Sequence, residues 1–178
     1  MLTANREIWD RAVNFNNNLG FILAMNLNFG CREKTFPGYL NVHYAKLRNV
    51  DVVFDFDKFP YPLKEKYPYI EMYEILEHVE NPVLVLKELH KHCVDKSRLH
   101  ITVPYYNCAG AYNAWSHVHF FNRKAVELMI DQNLFRLVKL RLIPTRLGRL
   151  IPSFIREKVS FILGEIYSQI EFELEAKF

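Results

Sequence analysis

Residues 26–44 read NLNFGCREKTFPGYLNVHY. An apolar run, residues 21–29, leads into Gly30, and a second β-rich run, residues 39–44, follows closely. The first run is continuous in its hydrophobicity, as expected of a strand covered on both faces. Gly30 has no Cβ, so it suits either a plain turn or the close approach of a ligand to the backbone. If the two strands are parallel, the chain between them is near the minimum for a crossover. A turn fits there; a full helix does not.

The alternation continues along the chain. β-rich runs recur at 50–56 (VDVVFDF), 69–75 (YIEMYEI), 98–103 (RLHITV), 134–142 (LFRLVKLRL) and 168–178 (SQIEFELEAKF). Helical patterns separate them. In ENPVLVLKELHKHC, Asn81 is a suitable N-cap, Pro82 a suitable first helical residue, and Val83, Leu86 and Leu89 recur at helical spacing. Asn122 can cap a helix running to Gln132, and LGRLIPSFIREKVSFILGEIY reads as mostly helical with Pro152 near its start. Ile8, Ala12 and Phe15 predict a helix over 3–16. The pattern is that of an α/β fold with a mainly parallel sheet, residues 1–20 forming a helical extension and 21–178 one domain. Ligands of such sheets lie beyond the carboxyl ends of the strands. Residues 30–34, His43, 55–57, 74–78 and the loop 104–121 are therefore expected around one crevice.

Bulk composition narrows the class. A net charge of +3 is too small to imply nucleic acid or a membrane surface. Three cysteines, odd in number and far apart, offer no disulfide framework. No signal peptide or membrane span is readable, and a cytoplasmic protein is expected. Aromatics at 15% predict an aromatic core and an aromatic-lined pocket.

The pieces LNFGCR, PGYLNVH, DVVFDFDKFPYP, ILEHVENP and VPYYN…AWSHVHFF occur in that order. They resemble the class I S-adenosylmethionine-dependent methyltransferases, in particular a small bacterial and archaeal group. That group reads L-N-L-G-C-G, P-G-Y-x-N-V-D, D-V-V-x-D-L-x-x-F-P-x-P, L-E-H-V, and a V-P loop with D-P-x-H-x-x-F-F. The ending IPTRLGRLIPSF…IEFELEAKF resembles the group's last helix and strand, so the likeness spans 26–178. It implies a single Rossmann-like domain. Its seven-stranded sheet would be mostly parallel, ordered 3-2-1-4-5-7-6, with helices on both faces and the last-numbered strand antiparallel. It also implies S-adenosylmethionine as cofactor, held around Gly30, Cys31, Arg32, His43, Asp55, Phe56 and Glu77, with His78 and His117 as candidate catalytic bases.

Several positions depart from that pattern. Arg32 replaces a glycine beside the cofactor's amino-acid end; it either clamps that carboxylate or is an exposed loop arginine. His43 stands where an acid would accept from both ribose hydroxyls, and a neutral imidazole has one acceptor. Ala114 replaces the loop acid, Pro68 replaces an aspartate before the fourth strand, and VDKSR stands in place of a K-P-G-G turn. Cys31 reads as packed and not as reactive. Asp55 and Phe56 either meet the adenine end or close a strand before a Pro-rich turn. His78 suits proton removal near neutral pH, or bonds a backbone carbonyl.

The loop 105–121 is long and carries Tyr105, Tyr106, Tyr112, Trp115, His117 and His119, a lining suited to an organic acceptor. No metal site is predicted. His90 and His92 face different sides of a helix, and His117 and His119 lack a companion ligand at metal spacing. The basic residues Arg136, Lys139, Arg141, Arg146, Arg149, Arg156 and Lys158 read as solvated charges on a helix packed against the sheet. A surface for a membrane, an acidic substrate or a partner is the alternative. The expected function is methyl transfer to a small or carbohydrate-like acceptor. The alternative is a non-catalytic module, with the same fold, that binds a partner protein or another nucleotide.

Overall fold

The computed structural model describes residues 25–178. The expected helix over 3–16 and the first residues of the run 21–29 lie outside these. Seven strands form one sheet: β1 (Asn26–Phe29), β2 (Tyr39–His43), β3 (Val52–Val53), β4 (Tyr67–Tyr73), β5 (Cys93–Pro104), β6 (Phe135–Pro144) and β7 (Tyr167–Ala176). Their order is β3-β2-β1-β4-β5-β7-β6, as the sequence implied. The helices are α1 (Pro82–Lys91), α2 (Arg123–Met129) and α3 (Ser153–Ser160). No helix of the described residues is long and apolar enough to cross a membrane.

The sheet is mixed, which corrects the expectation of a mostly parallel one. β1 through β5 pair in parallel, but β7 runs antiparallel to both β5 and β6. Those two antiparallel ladders are also the longest, because β5, β6 and β7 are the longest strands. The β-rich run 50–56 was too generous a reading: its aromatics turn into the core after Val53 and leave the ladder.

Strand alternation sorts the two faces. Leu27, Ile70, Leu99 and Leu174 stand in register across four strands, as do Phe29, Met72, Ile101 and Phe172 one step on. All are almost fully buried, and they share one core with Val85, Leu86 and Leu89 of α1 and Val126 and Met129 of α2. Each such side chain stabilises the fold by roughly 1.5–3 kcal/mol relative to exposure. Asn81 starts α1 as expected, its side chain accepting from the amides of Val83 and Leu84.

The opposite face is polar. Asn28, Glu71, His100, Glu173 and Lys139 stand in one row, and Arg98, Glu175 and Arg136 in the next. Arg98 pairs with Glu173 at 3.0 Å and with Glu175 at 2.9 Å, and Arg136 pairs with Glu175. Among the described residues α1 and α2 both belong to the apolar side, so helices on both faces are not seen within 25–178.

The β1–β2 crossover has no helix. Two asparagines of the polar face hold it instead. Asn28 donates to the Lys34 carbonyl at 2.7 Å and to Asn41 Oδ1 at 2.9 Å. Asn41 Oδ1 also accepts from the Phe36 amide, and the Gly30 and Cys31 amides both reach the Val42 carbonyl.

The stretch 147–163 is less helical and less buried than its sequence suggested. It holds a short 3-10 turn (Gly148–Leu150) and α3, and only Ser160 of α3 is buried. Leu150, Phe154, Phe161 and Ile162 are each at least 70% exposed. The reading of this segment as a helix packed on the sheet holds only in part: Ile151 and Val159 pack against the core, while most of its large apolar side chains face outward.

Candidate functional site

The carboxyl ends of β1, β2 and β4 converge on one region. Gly30 closes β1 with φ +83°, a conformation that glycine adopts freely. A Cβ built there would overlap the Ile75 side chain, so the absent side chain makes room for the turn after β4. Cys31 is buried and burial raises its thiol pKa, which marks it as packing.

Arg32 also has a left-handed backbone, φ +48°. Its guanidinium lies 3.4 Å from His78 Nε2, and its charge acts on His43, Glu77 and His78 alike. It is an exposed loop arginine that reaches from the end of β1 towards the turn after β4. His43 ends β2, buried, with its Nδ1 unpartnered; burial, then the Arg32 charge, holds its pKa down.

Asp55 is not brought together with these groups, whereas Phe56 lies beside Gly30. Asp55 accepts from the Asp57 amide at 3.1 Å and pairs with Lys58 at 3.3 Å, half exposed. Phe56 stacks on Phe29 at 4.1 Å inside the core. The hydrophobic gain of stacking under β1 holds the Phe56 ring there, beside Gly30.

The turn after β4 carries the densest chemistry. Glu77 is fully buried and neither carboxylate oxygen has a partner. Burial first, then the charge of Glu74, pushes its pKa up to about 8. Its backbone carbonyl accepts from the amides of Val118 and His119, which pins the long loop against the turn. His78 and His117 pack edge to face, ring centroids 4.6 Å apart.

Hydrogen bonds fix both tautomers. The Ala111 carbonyl can only accept, so His117 Nδ1 carries the proton in that 2.9 Å contact. Arg32 can only donate, so His78 Nε2 is an acceptor and its Nδ1–H donates to Ser116 Oγ at 3.0 Å. Both neutral rings thereby keep a lone pair on Nε2. Burial, with the nearby His117 and Arg32, favours the neutral form of His78.

Ser116 and Ile75 escaped the sequence reading. Ser116 sits beside His117 in AWSH, and only the fold shows that it serves His78. The loop's aromatics divide: Tyr105 is buried, while Tyr112 and Trp115 face solvent, Trp115 almost completely. They do not form one lining. His119 is directed to the Glu80 carbonyl at 3.2 Å, so it does not join His117.

No family model matches the chain, and no curated protein matches it. Solved structures do. A S-adenosylmethionine-dependent methyltransferase from Mesorhizobium loti superposes with TM-score 0.59 at 10% identity, over 85% of this chain and 90% of that one. The class I methyltransferase fold is therefore the fold of this chain. The N-methyltransferase NodS from Bradyrhizobium japonicum WM9 superposes with TM-score 0.57 at 12% identity, over 98% of this chain and 97% of that one. The [4+2]-cyclase SpnF superposes equally well, TM-score 0.58 at 10% identity, over 86% and 75%. The methyltransferase fold thus extends to a protein described by a different reaction, and function must be argued from the site.

Proposed function

We propose that this chain is a methyltransferase that takes S-adenosylmethionine and methylates a hydroxyl-bearing small molecule or carbohydrate-like acceptor. The observation that carries the reading is the convergence of Arg32, His43, Glu77, His78 and His117 at the carboxyl ends of β1, β2 and β4. Arg32 would pair with the cofactor's carboxylate. The orphaned, buried Nδ1 of His43 would accept from one ribose hydroxyl, where a carboxylate would serve two. These groups fit the cofactor, with the ribose less well held. When bound, it supplies a methyl group already activated on a sulfonium.

The chain's own task is to orient the acceptor and take its proton. His117 is the better placed base: its Nδ1–H is anchored to Ala111, and its Nε2 keeps a lone pair. His78 becomes available in the same way once Arg32 turns from its Nε2 to a carboxylate.

Calorimetry with S-adenosylhomocysteine tests the cofactor reading. Wild type is expected to bind weakly, and His43→Asp to bind about ten- to a hundredfold tighter. A screen for S-adenosylhomocysteine release across sugars, lipids and small acids tests the chemistry. Replacing His78 and His117 together with Ala should lower turnover by roughly 10²–10⁴ with little change in cofactor affinity.

A second reading is favoured by Arg32 itself. Its side chain stands against His78 where a ligand would pass, as in a module that binds a partner without catalysis. If neither wild type nor His43→Asp binds S-adenosylhomocysteine, that reading replaces the first.

A further inference from the structure

We propose that Glu77, His78 and His117 bind a first-row divalent cation of the zinc type. The proposal goes beyond methyl transfer and does not depend on it. One donor atom from each of the three residues lies within 4.8 Å of the other two. Donors around tetrahedral zinc are about 3.3–3.5 Å apart, so a closure of about an ångström would complete the set. Two imidazoles and one carboxylate suit zinc and its neighbours better than calcium or magnesium, and leave a position open for an oxygen ligand.

Two independent features point to a cation. The Glu77 carboxyl is fully buried with both oxygens unpartnered, so ionising it is costly unless something positive joins it. Both histidines present Nε2 as a lone pair and anchor Nδ1–H, one to Ser116 Oγ and one to the Ala111 carbonyl. Metal-binding histidines are oriented by hydrogen bonds of this kind. The Arg32 guanidinium, 3.4 Å from His78 Nε2, stands at that lone pair and competes with a metal ion for it. The scaffold is firm, because the Glu77 carbonyl ties the loop of His117 to the turn of His78.

The test is titration of the full chain with cobalt(II), read by visible absorption, and with zinc chloride, read by calorimetry. One ion per chain is expected, with the intense d–d bands of a low-symmetry four-coordinate site. Glu77→Gln and the His78→Ala, His117→Ala pair should abolish the bands. Ser116→Ala should weaken binding about tenfold, because the ring of His78 loses its anchor. Arg32→Ala should tighten binding by removing a competing cation. Circular dichroism separates loss of ligands from loss of fold. Absence of bands and of heat in both wild type and Arg32→Ala overturns the proposal. So does unchanged binding in the double histidine variant, which would place the metal elsewhere. The assay needs no cofactor, so its outcome is independent of the methyl-transfer assays.

A different observation carries a second inference. The geometry points to the outward side of 147–163 as a docking surface for an anionic bilayer. Leu150, Phe154, Phe161 and Ile162 are exposed together, and Arg146, Arg149 and Lys158 lie among them with no ion pair among the described residues. The one acid of α3, Glu157, is engaged by Arg123 at 3.1 Å. Apolar side chains beside uncompensated positive charge match the boundary between acyl chains and anionic headgroups. Sedimentation with phosphatidylcholine vesicles, with and without phosphatidylglycerol, tests this. The chain should sediment only with the anionic vesicles, less at high salt, and the Phe154→Ser, Ile162→Ser variant should stay in solution. Failure to sediment with either vesicle sinks the idea. So does a self-associated form that the same variant dissociates, since a second copy would then be the occupant.

Discussion

At the scale of single residues, two backbone positions define the region at the end of β1. Gly30 combines a positive φ with a space that Ile75 fills. Gly30→Ala should therefore destabilise the fold by about 2–4 kcal/mol, from left-handed strain plus overpacking. Combining it with Ile75→Ala should cost less than the sum of the two single changes, as urea denaturation of the three variants would reveal. Gly30 was legible because a glycine after a buried strand has few other uses. That residues 74–78 and the loop 104–121 share a crevice was legible from the fold class, but not that donor atoms of Glu77, His78 and His117 come within 4.8 Å of one another. They come from segments far apart in sequence, and local spacing carries no information about such a meeting. Phe56 was not decided by sequence, because an aromatic near a ligand-binding edge and an aromatic in a core look the same in one dimension.

Among the elements, the β1–β2 crossover is the most unusual and the most dependent on polar groups. Asn41 bonds to Asn28, to both backbone groups of Phe36 and to Asp51. Asn41→Ala would leave several buried donors and acceptors without partners. A loss of roughly 1–3 kcal/mol is expected, measured as a lower denaturation midpoint. Asn41→Asp should not restore it, because the Asn41 amide nitrogen is the donor to the Tyr39 and Phe36 carbonyls. The shortness of this connection could be read from residues 26–44 alone. Its hydrogen bonds could not, since an asparagine in a strand is as easily taken for a turn signal. The capped start of α1 was legible to the residue because Asn-Pro fixes both the acceptor and the first φ.

At the scale of the whole molecule, the polar sheet face links stability to pH. His100 on β5 lies between Glu71 of β4 and Glu171 of β7, with Tyr73 edge-on to its ring. Burial opposes its charge, but hydrogen bonds with Glu171 and Glu71 and their charges prevail and raise its pKa to about 9. The stabilisation is full below the unfolded value near 6.5 and is lost as pH rises through about 9. Its size is on the order of 3 kcal/mol. The pKa of Glu171 is lowered, first by its hydrogen bond with His100, so its share is lost instead as pH falls through the carboxylate range. Urea midpoints from pH 5 to 9.5 should fall less in His100→Gln than in wild type. That difference is the measurement, because the buried Glu77 carboxyl also loses stability as pH rises through about 8. Strand order was legible from the succession of motifs. So was the antiparallel course of β7; that its two ladders would be the longest of the sheet was not, because strand length depends on pairing that a single sequence does not show. The helix-free crossover has one more consequence, which concerns the source of the electric field at the crevice. A helix starting at Gly30 would aim its macrodipole there, about half a unit of positive charge fixed in the backbone and beyond the reach of any single substitution. Here a full unit sits on the side chain of Arg32, so one codon can remove it, reverse its sign or restore it.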